Sequence, residues 1–436
     1  MEITLKVLFP RQIFDLATNF QRKFDDDHCN DVEKQSNFKK FDCLKADKSA
    51  FVETLSVSTF YNHYNYDEVI FLENLRGTAI YCGIGICLEE IKKHLAEAHE
   101  AGINAVFTSL QLPESDSEIL KHDFPLMCEE AHKYGMLVAA DIAPRTATEF
   151  GLDLHDIKAI KSFGVDIMRL DGGYTLEETA ELSHNEHGML IMMNASMAEN
   201  KLKKLCDLGI NTEQTLFCHN YYPMRYTGLS PERAVKNNAL LHKYGFRVSG
   251  FVSGKHHRRL ACNIGLPTVE ALRDTPLDFT LQAMLFYGFD DLFFGDDLAS
   301  LEEMQSLVAA KKPMTFRMKL LVDDINLKNW FEGREISQLQ GGIPEIVRSN
   351  FLRANSMYNG NCEIGLPGLR KKGTVMLGKK ALYRYEGEVQ IARCDLPDDP
   401  DIGIIGQIID EDLPLLDIFK VDPETFIGPS FEFKIV

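Results

Sequence analysis

The chain has 436 residues, a formal net charge of −18, 45% hydrophobic residues and 26% charged residues. At about 100–200 residues per domain it is too long for one ordinary domain, and its composition is globular, not disordered. An acidic balance excludes nonspecific nucleic-acid binding, which needs a basic face, and no run reaches the ~18 apolar residues of a membrane span.

The start, MEITLKVLFPRQIFDLATN, lacks the long apolar core of a signal peptide, because Pro10, Arg11 and Gln12 interrupt it. Residues 1–77 are polar and aromatic, with an acidic run at Asp25–Asp27, and read as an N-terminal extension of unassigned role. Ten cysteines are scattered with no C-x-x-C pair, as expected of reduced thiols in a cytoplasmic protein.

Residues 78–312 alternate. Short apolar runs occupy Ala79–Ile86, Ala105–Ser109, Leu137–Ile142, Asp166–Leu170, Leu190–Met193, Thr215–Cys218, Arg247–Val252 and Asp291–Phe294. Amphipathic segments separate most of them; in Leu88–Ala101, Ile91, Leu95 and Ala98 form one stripe, and Leu202–Leu208 and Glu232–His242 behave alike. Gly102, Gly135, Gly164 and Gly245 each precede a run and suit the left-handed residue that ends a helix. Near-continuous apolar runs separated by helices predict parallel strands. Eight such units fit an α/β (β/α)8 TIM barrel of ~250 residues, with an open doubly wound sheet as the alternative. From residue 313 the pattern changes. Tyr383–Arg393 alternates, Ile402–Ile409 is β-rich and Phe431–Val436 reads as a strand, so 313–436 is predicted to be a small, mainly antiparallel β domain.

Four local motifs carry little. Tyr81–Leu88 (YCGIGICL) contains G-x-G, but Leu88 stands where a dinucleotide fingerprint needs its third glycine. Gly373–Lys380 (GTVMLGKK) has Lys380 in place of the Ser or Thr of a phosphate-binding loop and reads as a turn at Gly378. His184 and His187 lack a third ligand nearby, so no metal is expected. Lys255–Arg259 (KHHRR) is a solvated loop or, following strand seven, a surface for an anion.

Catalysis in such a barrel sits at the C-terminal strand ends. Those ends carry Gln111 and Glu114, Asp141 and Arg145, Arg169, Asp171 and Tyr174, Asn194 and Ser196, then His219, Asn220, Tyr222 and Arg225, and finally Asp296 and Asp297. Arg169 and Asp171 fall on the same side of an extended strand, so the arginine would hold Asp171 ionised. Each also has a structural reading: Arg169–Asp171 as an ion pair closing the barrel, Asp141 as a cap or pair, Glu114 as a residue after a turn, His219 as a satisfied strand-end histidine. Paired carboxylates with Asn, His and Tyr suit carbohydrate hydrolysis, in which one acid protonates the leaving oxygen and a second carboxylate attacks or activates water. No strand end carries a lysine for a Schiff base, and His219 alone among histidines stands there, which disfavours aldolase-type and metal chemistry.

Several segments also resemble a known family. RLDGGY (169–174), CHNYYPMRYTGLS (218–230), GLPTVEALRD (265–274), YEGEVQIARCDLPDD and IIDEDLPLLDIF resemble, in order, motifs of the bacterial 6-phospho-N-acetylmuramidases, formerly called outer surface proteins. The resemblance implies a TIM barrel plus a cyclophilin-like C-terminal domain. It implies hydrolysis of the β-1,4 bond of N-acetylmuramic acid 6-phosphate–N-acetylglucosamine during peptidoglycan recycling, with a small phosphorylated disaccharide as partner and no cofactor. Asp171 and Asp141 are then the expected carboxylates, with Glu114 and Asp296 as substitutes. Arg169, Asn194, His219, Asn220, Tyr222 and Arg225 would bind sugar and phosphate, joined by Arg348 and Ser349 and the basic stretch Arg353, Ser356, Arg370 and Lys371. Two positions depart from the family: Ile86-Cys87 replaces its usual Tyr-Pro, and Gly295-Asp296 its frequent Gly-Asn. A sugar-phosphate lyase or isomerase, or a non-catalytic sugar-phosphate binder, is the alternative.

Overall fold

The structure is a computed structural model that describes residues 6–8, 69–71, 73–143, 150–153, 156–170, 172–259, 263–339, 344–350, 352, 354–418 and 430–436. Lys6–Leu8 pairs in parallel with Val69–Phe71. Eight parallel strands then close a barrel: β1 (Arg76–Ala79), β2 (Ala105–Ser109), β3 (Leu137–Ile142), β4 (Ile167–Leu170), β5 (Leu190–Asn194), β6 (Thr215–Cys218), β7 (Arg247–Val252) and β8 (Asp291–Asp297). The outer ring is α1 (Leu88–Ala101), α2 (Ser117–Lys133), α3 (Ile157–Ser162), α4 (Leu176–Leu182), α5 (Glu199–Asp207), α6 (Pro231–Lys243), α7 (Leu277–Phe286) and α8 (Leu301–Ala309).

Local chemistry explains the punctuation. In α1 the buried stripe is Ile91, His94, Leu95, Ala98 and Ala101, the Glu90 carboxylate accepts the Cys87 N–H at 3.0 Å, and Gly102 ends the helix at φ 87°. Gly135, Gly164 and Gly245 are left-handed as well. Asp116, Asp156, Thr175, Ser230 and Ser300 cap later helices, each accepting an orphan first-turn N–H. One strand lies elsewhere than the apolar run suggests. β1 is Arg76–Ala79, and Tyr81–Cys87 forms a turn in which Gly83 and Gly85 take φ of 80° and 77°. The Gly83 carbonyl accepts the Asp116 N–H at 2.9 Å. That backbone approach, not strand pairing, uses the G-x-G.

Alternation along the strands sorts the barrel into layers. Near its N-terminal end Arg247 is ion-paired with fully buried Asp291, whose carboxylate also accepts the Leu75 N–H at 2.7 Å. The middle is aromatic: Phe107 packs edge to face on Phe251 and Phe293, which are tilted against each other, with Phe107 and Phe251 centroids 4.8 Å apart. Gly77 makes this possible, since a Cβ there would stand 2.0 Å from the Phe293 ring. Above these rings come Tyr81, Asp141, Arg169, Asn194 and Asn220.

The second domain is a mixed sheet of β9 (Met314–Leu320), β10 (Ile336–Ser337), β11 (Ile346–Arg348), β12 (Thr374–Gly378), β13 (Val389–Ala392), β14 (Ile402–Ile408) and β15 (Ser430–Ile435), with α9 (Ile325–Phe331) and α10 (Leu413–Ile418). Its order is β10-β15-β9-β14-β12-β13-β11; β9 and β15 run parallel and the other pairs antiparallel. A bridge between Gln338 and Ser349 links the two edges, so the sheet curls on itself. Of the alternating stretch Tyr383–Arg393, Val389–Ala392 is strand, while Lys380–Tyr385 is 3-10 helix. GTVMLGKK forms β12, and no α-helix follows it, unlike a phosphate-binding loop. Phe279 and Phe286 of α7 pack against both cores, and the Thr315 N–H donates to Gln282 Oε1 at 2.8 Å, which seats the sheet on the barrel's flank.

Candidate active site

A polar chain crosses the C-terminal mouth of the barrel. Asp141 ends β3 and Arg169 lies beside it on β4 at the same register. Both are 4% exposed, and Arg169 Nη1 donates to Asp141 Oδ1 at 2.5 Å. Arg169 Nη2 donates to Asn220 Oδ1, which also accepts from Asn194 Nδ2 at 3.1 Å. Asn194 Oδ1 in turn accepts the Ser196 N–H at 2.8 Å. Ion-paired burial keeps a carboxylate charged, because the neighbouring guanidinium offsets the lost hydration. Four strands thus contribute to one hydrogen-bonded unit with an anion at one end and amides at the other.

Beneath this unit sits His219. It is fully buried; its Nε2 donates to Asn238 Oδ1 at 2.8 Å, and Asn238 Nδ2 donates to the Tyr287 carbonyl at 2.9 Å. Asn238 therefore fixes the tautomer, leaving Nδ1 toward the Ser196 hydroxyl at 3.5 Å. Burial, aided by the Arg169 and Arg233 charges and opposed by the Asn238 bond, lowers the His219 pKa to about 4. It stands neutral as a strut. Tyr222 is half-buried, and burial raises its pKa.

The opposite side of the mouth is built from β1, β2, β6 and β7 loops. The Arg259 guanidinium packs against two rings set at 77° to each other, 4.7 Å from the Tyr81 centroid and 5.3 Å from that of Tyr221. Its Nη1 donates to the Tyr221 hydroxyl at 3.2 Å, and Nη2 stands 3.5 Å from Glu114 Oε1. Tyr81 is held by donating to the Gly295 carbonyl at 2.8 Å. Tyr221 accepts from Arg259 and follows directly on Asn220, which accepts from Arg169, so the two sides share one cup.

Comparison with known proteins identifies the family. The family model described as "6-phospho-N-acetylmuramidase, N-terminal" matches residues 76–309, and its C-terminal counterpart matches 343–427. The chain belongs to the 6-phospho-N-acetylmuramidase family. The family description supports a glycosidase-like function. Two solved structures share the fold. An uncharacterized B. cereus protein is 23% identical over 83% of this chain and 100% of its own, with a TM-score of 0.67. A conserved Enterococcus faecalis protein of unknown function is 23% identical over 83% and 96%, with a TM-score of 0.54. No curated protein matches the chain.

Other family-motif residues are placed as follows. Asp171 and Arg145 lie outside the described residues, as does Arg353. Arg169 is paired across the strands with Asp141. Glu114 is exposed at the rim. Arg225 is exposed and paired with Asp274 at 2.6 Å, tying the β6 loop to the loop before α7. Asp296 is fully buried, and its two oxygens accept the N–H groups of Gly254, Arg259 and Leu266 at 3.0, 3.1 and 3.0 Å. Burial raises its pKa against the pull of those amides. It anchors the β7 loop and leaves no face to a substrate. Asp297 does similar work, accepting from His257 at 2.7 Å.

In the second domain, Arg348 makes a bidentate pair with buried Glu388 at 2.7 and 2.8 Å. Ser349 is fully buried, its hydroxyl accepting the Val389 N–H at 2.9 Å. Ser356 accepts the Ser337 N–H at 3.1 Å, and Arg370 donates to the Pro397 carbonyl at 2.7 Å. These groups bond within their own sheet domain. His184 donates to the Gly209 carbonyl at 2.7 Å, and among the described residues no group of three or more His, Cys, Asp or Glu is placed to hold a metal. The sequence reading missed Tyr81 and Tyr221 as cup residues. Tyr221 sits inside the quoted motif next to Asn220, so its place was within reach; Tyr81 was absorbed into an apolar run.

Proposed function

We propose that the chain is a glycoside hydrolase that cleaves the β-1,4 bond of N-acetylmuramic acid 6-phosphate–N-acetylglucosamine in cytoplasmic peptidoglycan recycling. The observation that carries the reading is the buried Asp141 carboxylate held by Arg169 at 2.5 Å beside Asn194 and Asn220, at the mouth of a barrel of this family. In this reading Asp141 is the ionised carboxylate. It attacks the anomeric carbon or activates water, while a second carboxyl protonates the leaving oxygen. Glu114 at the rim and Asp171, two residues beyond Arg169, are the candidates for that acid. A carboxyl separation of ~5–5.5 Å would give retention and ~6.5–9.5 Å inversion. Asn194, Asn220 and Tyr222 supply hydrogen bonds to sugar hydroxyls and the N-acetyl group. The Tyr221 ring, edge-on to Phe251 at 5.2 Å, offers apolar surface to a sugar ring.

Asp141→Asn tests the assignment. It preserves shape and removes the charge. Turnover should fall by roughly 10²–10⁴, the usual worth of a positioned acid or base, while the circular dichroism spectrum is retained. Unchanged turnover in folded Asp141→Asn protein would show that the Asp141–Arg169 pair only closes the barrel.

A further inference from the structure

We propose that Arg259, packed at the barrel mouth against Tyr81 and Tyr221, is the receptor for an oxyanion group of the sugar ligand, a phosphate or a carboxylate. This rests on the reading above that the ligand is an anionic sugar.

The first ground is an incomplete hydrogen-bond inventory. A guanidinium presents five N–H donors. Arg259 is 7% exposed, yet its Nε has no partner among the described residues, Nη1 has one tyrosine hydroxyl at 3.2 Å, and the Glu114 carboxylate stands off at 3.5 Å. What sets Arg259 apart is the distance of its carboxylate, because other arginines hold theirs closer. Arg169 has Asp141 at 2.5 Å, Arg273 has Glu270 at 2.7 Å, and Arg348 has Glu388 at 2.7 and 2.8 Å. Buried cations are ordinarily satisfied, and one left short of acceptors next to an open cup is a site awaiting them.

The second ground is preorganisation. The side chain is hemmed on two sides, because the Tyr81 and Tyr221 rings, set at 77° to each other, both pack against its guanidinium. Its backbone cannot drift, because its own N–H is one of the three gripped by Asp296. His257, two residues earlier, is fixed on Asp297. A planar, rigid fork suits a tetrahedral or trigonal oxyanion, which it can meet with two parallel bonds. Asp296 is thus a positioning residue acting through Arg259. An incoming anion competes with Glu114 for the guanidinium, so Glu114 moderates affinity.

The test uses the full chain and three variants: Arg259→Lys, Arg259→Gln and, as a neighbouring control, Arg258→Gln. Thermal midpoints are first measured in inorganic phosphate against chloride at equal ionic strength. A ligand that binds the folded state raises the midpoint. We expect a rise in the wild type and in Arg258→Gln, and none in Arg259→Gln. Calorimetric titration then compares N-acetylglucosamine 6-phosphate, which carries only the phosphate, with N-acetylmuramic acid, which carries only the carboxylate. The anion seated on Arg259 should bind Arg259→Gln at least about tenfold more weakly, and Arg259→Lys should recover only part of the loss. Glu114→Gln should bind it more tightly. Loss confined to the phosphate sugar assigns the phosphate, and loss confined to the carboxylate sugar assigns the lactyl group. The proposal is overturned if wild type responds to neither phosphate nor either sugar, or if folded Arg259→Gln responds to all three like wild type. A phosphate effect that depends on Arg259 in a protein that hydrolyses no disaccharide would sink the hydrolase reading and leave the anion site standing.

Discussion

Two neutral histidines are locked into the barrel, and acid should find them. His219 is fully buried on Asn238, and His94 is 4% exposed with its Nε2 2.8 Å from the Thr78 hydroxyl. Burial lowers both pKa values from 6.5 to about 4. The unfolded chain takes up a proton on each near pH 6.5, while the folded chain resists until about pH 4. Between those limits the unfolded state binds more protons, so stability falls as pH falls, and it is fully present above the unfolded pKa. Linkage gives about 2 kcal/mol lost per histidine at pH 5 and about 3 kcal/mol at pH 4, relative to pH 7.5. Carboxylates titrate in the same range, so the comparison must be between variants. Urea unfolding of wild type, His219→Gln and His94→Gln should be followed from pH 7.5 to 4. Each variant should be less stable than wild type at pH 7.5, having lost packing or a hydrogen bond. The gap should then shrink by about 2–3 kcal/mol on acidification, because only wild type carries the histidine penalty. A gap independent of pH would refute the reasoning and mean that these imidazoles are hydrated or charged in the folded state.

Asp296→Ala leaves three buried N–H groups without acceptors. It should cost about 3–5 kcal/mol in denaturant unfolding and speed amide exchange at Gly254, Arg259 and Leu266 before the strands. Exchange unchanged at those three amides would contradict the anchor. Asp291→Asn strands Arg247 deep in the barrel and should be destabilising by about 3–5 kcal/mol, whereas Arg247→Met with Asp291→Leu should recover much of that loss. A double variant no better than the single would show that the pair itself, not its broken half, carries the stability.

The barrel was legible because parallel strands covered on both faces read as continuous apolar runs, and because helix-ending glycines mark where each strand begins. β1 was displaced because Tyr81–Cys87 is apolar too, and apolarity alone does not distinguish a strand from a turn packed into the core. β9 was within reach, since Met314, Phe316, Met318 and Leu320 alternate with Thr315, Arg317 and Lys319, and Arg317 on the polar face turns to Asp412 at 2.6 Å; it was passed over because it sits at the domain boundary. Strand-end polarity located the cup, and Asp141, Arg169, Asn194 and Asn220 meet there. It could not sort Asp296 from Asp141. Both are acids at strand ends, and what separates them is partners far away in the chain: Gly254, Arg259 and Leu266 for one, Arg169 for the other. The basic run Lys255–Arg259 hid a division of the same kind. Arg258 is paired with exposed Asp274 at 3.5 Å, while Arg259, one residue on, turns inward against two tyrosines.

The central claim is tested most directly by a product assay. Purified protein is mixed with N-acetylmuramic acid 6-phosphate–N-acetylglucosamine, the unphosphorylated disaccharide runs alongside, and products are read by mass spectrometry. The account predicts cleavage to N-acetylmuramic acid 6-phosphate and N-acetylglucosamine, with the unphosphorylated sugar left intact. No cleavage of either disaccharide by folded protein would contradict it.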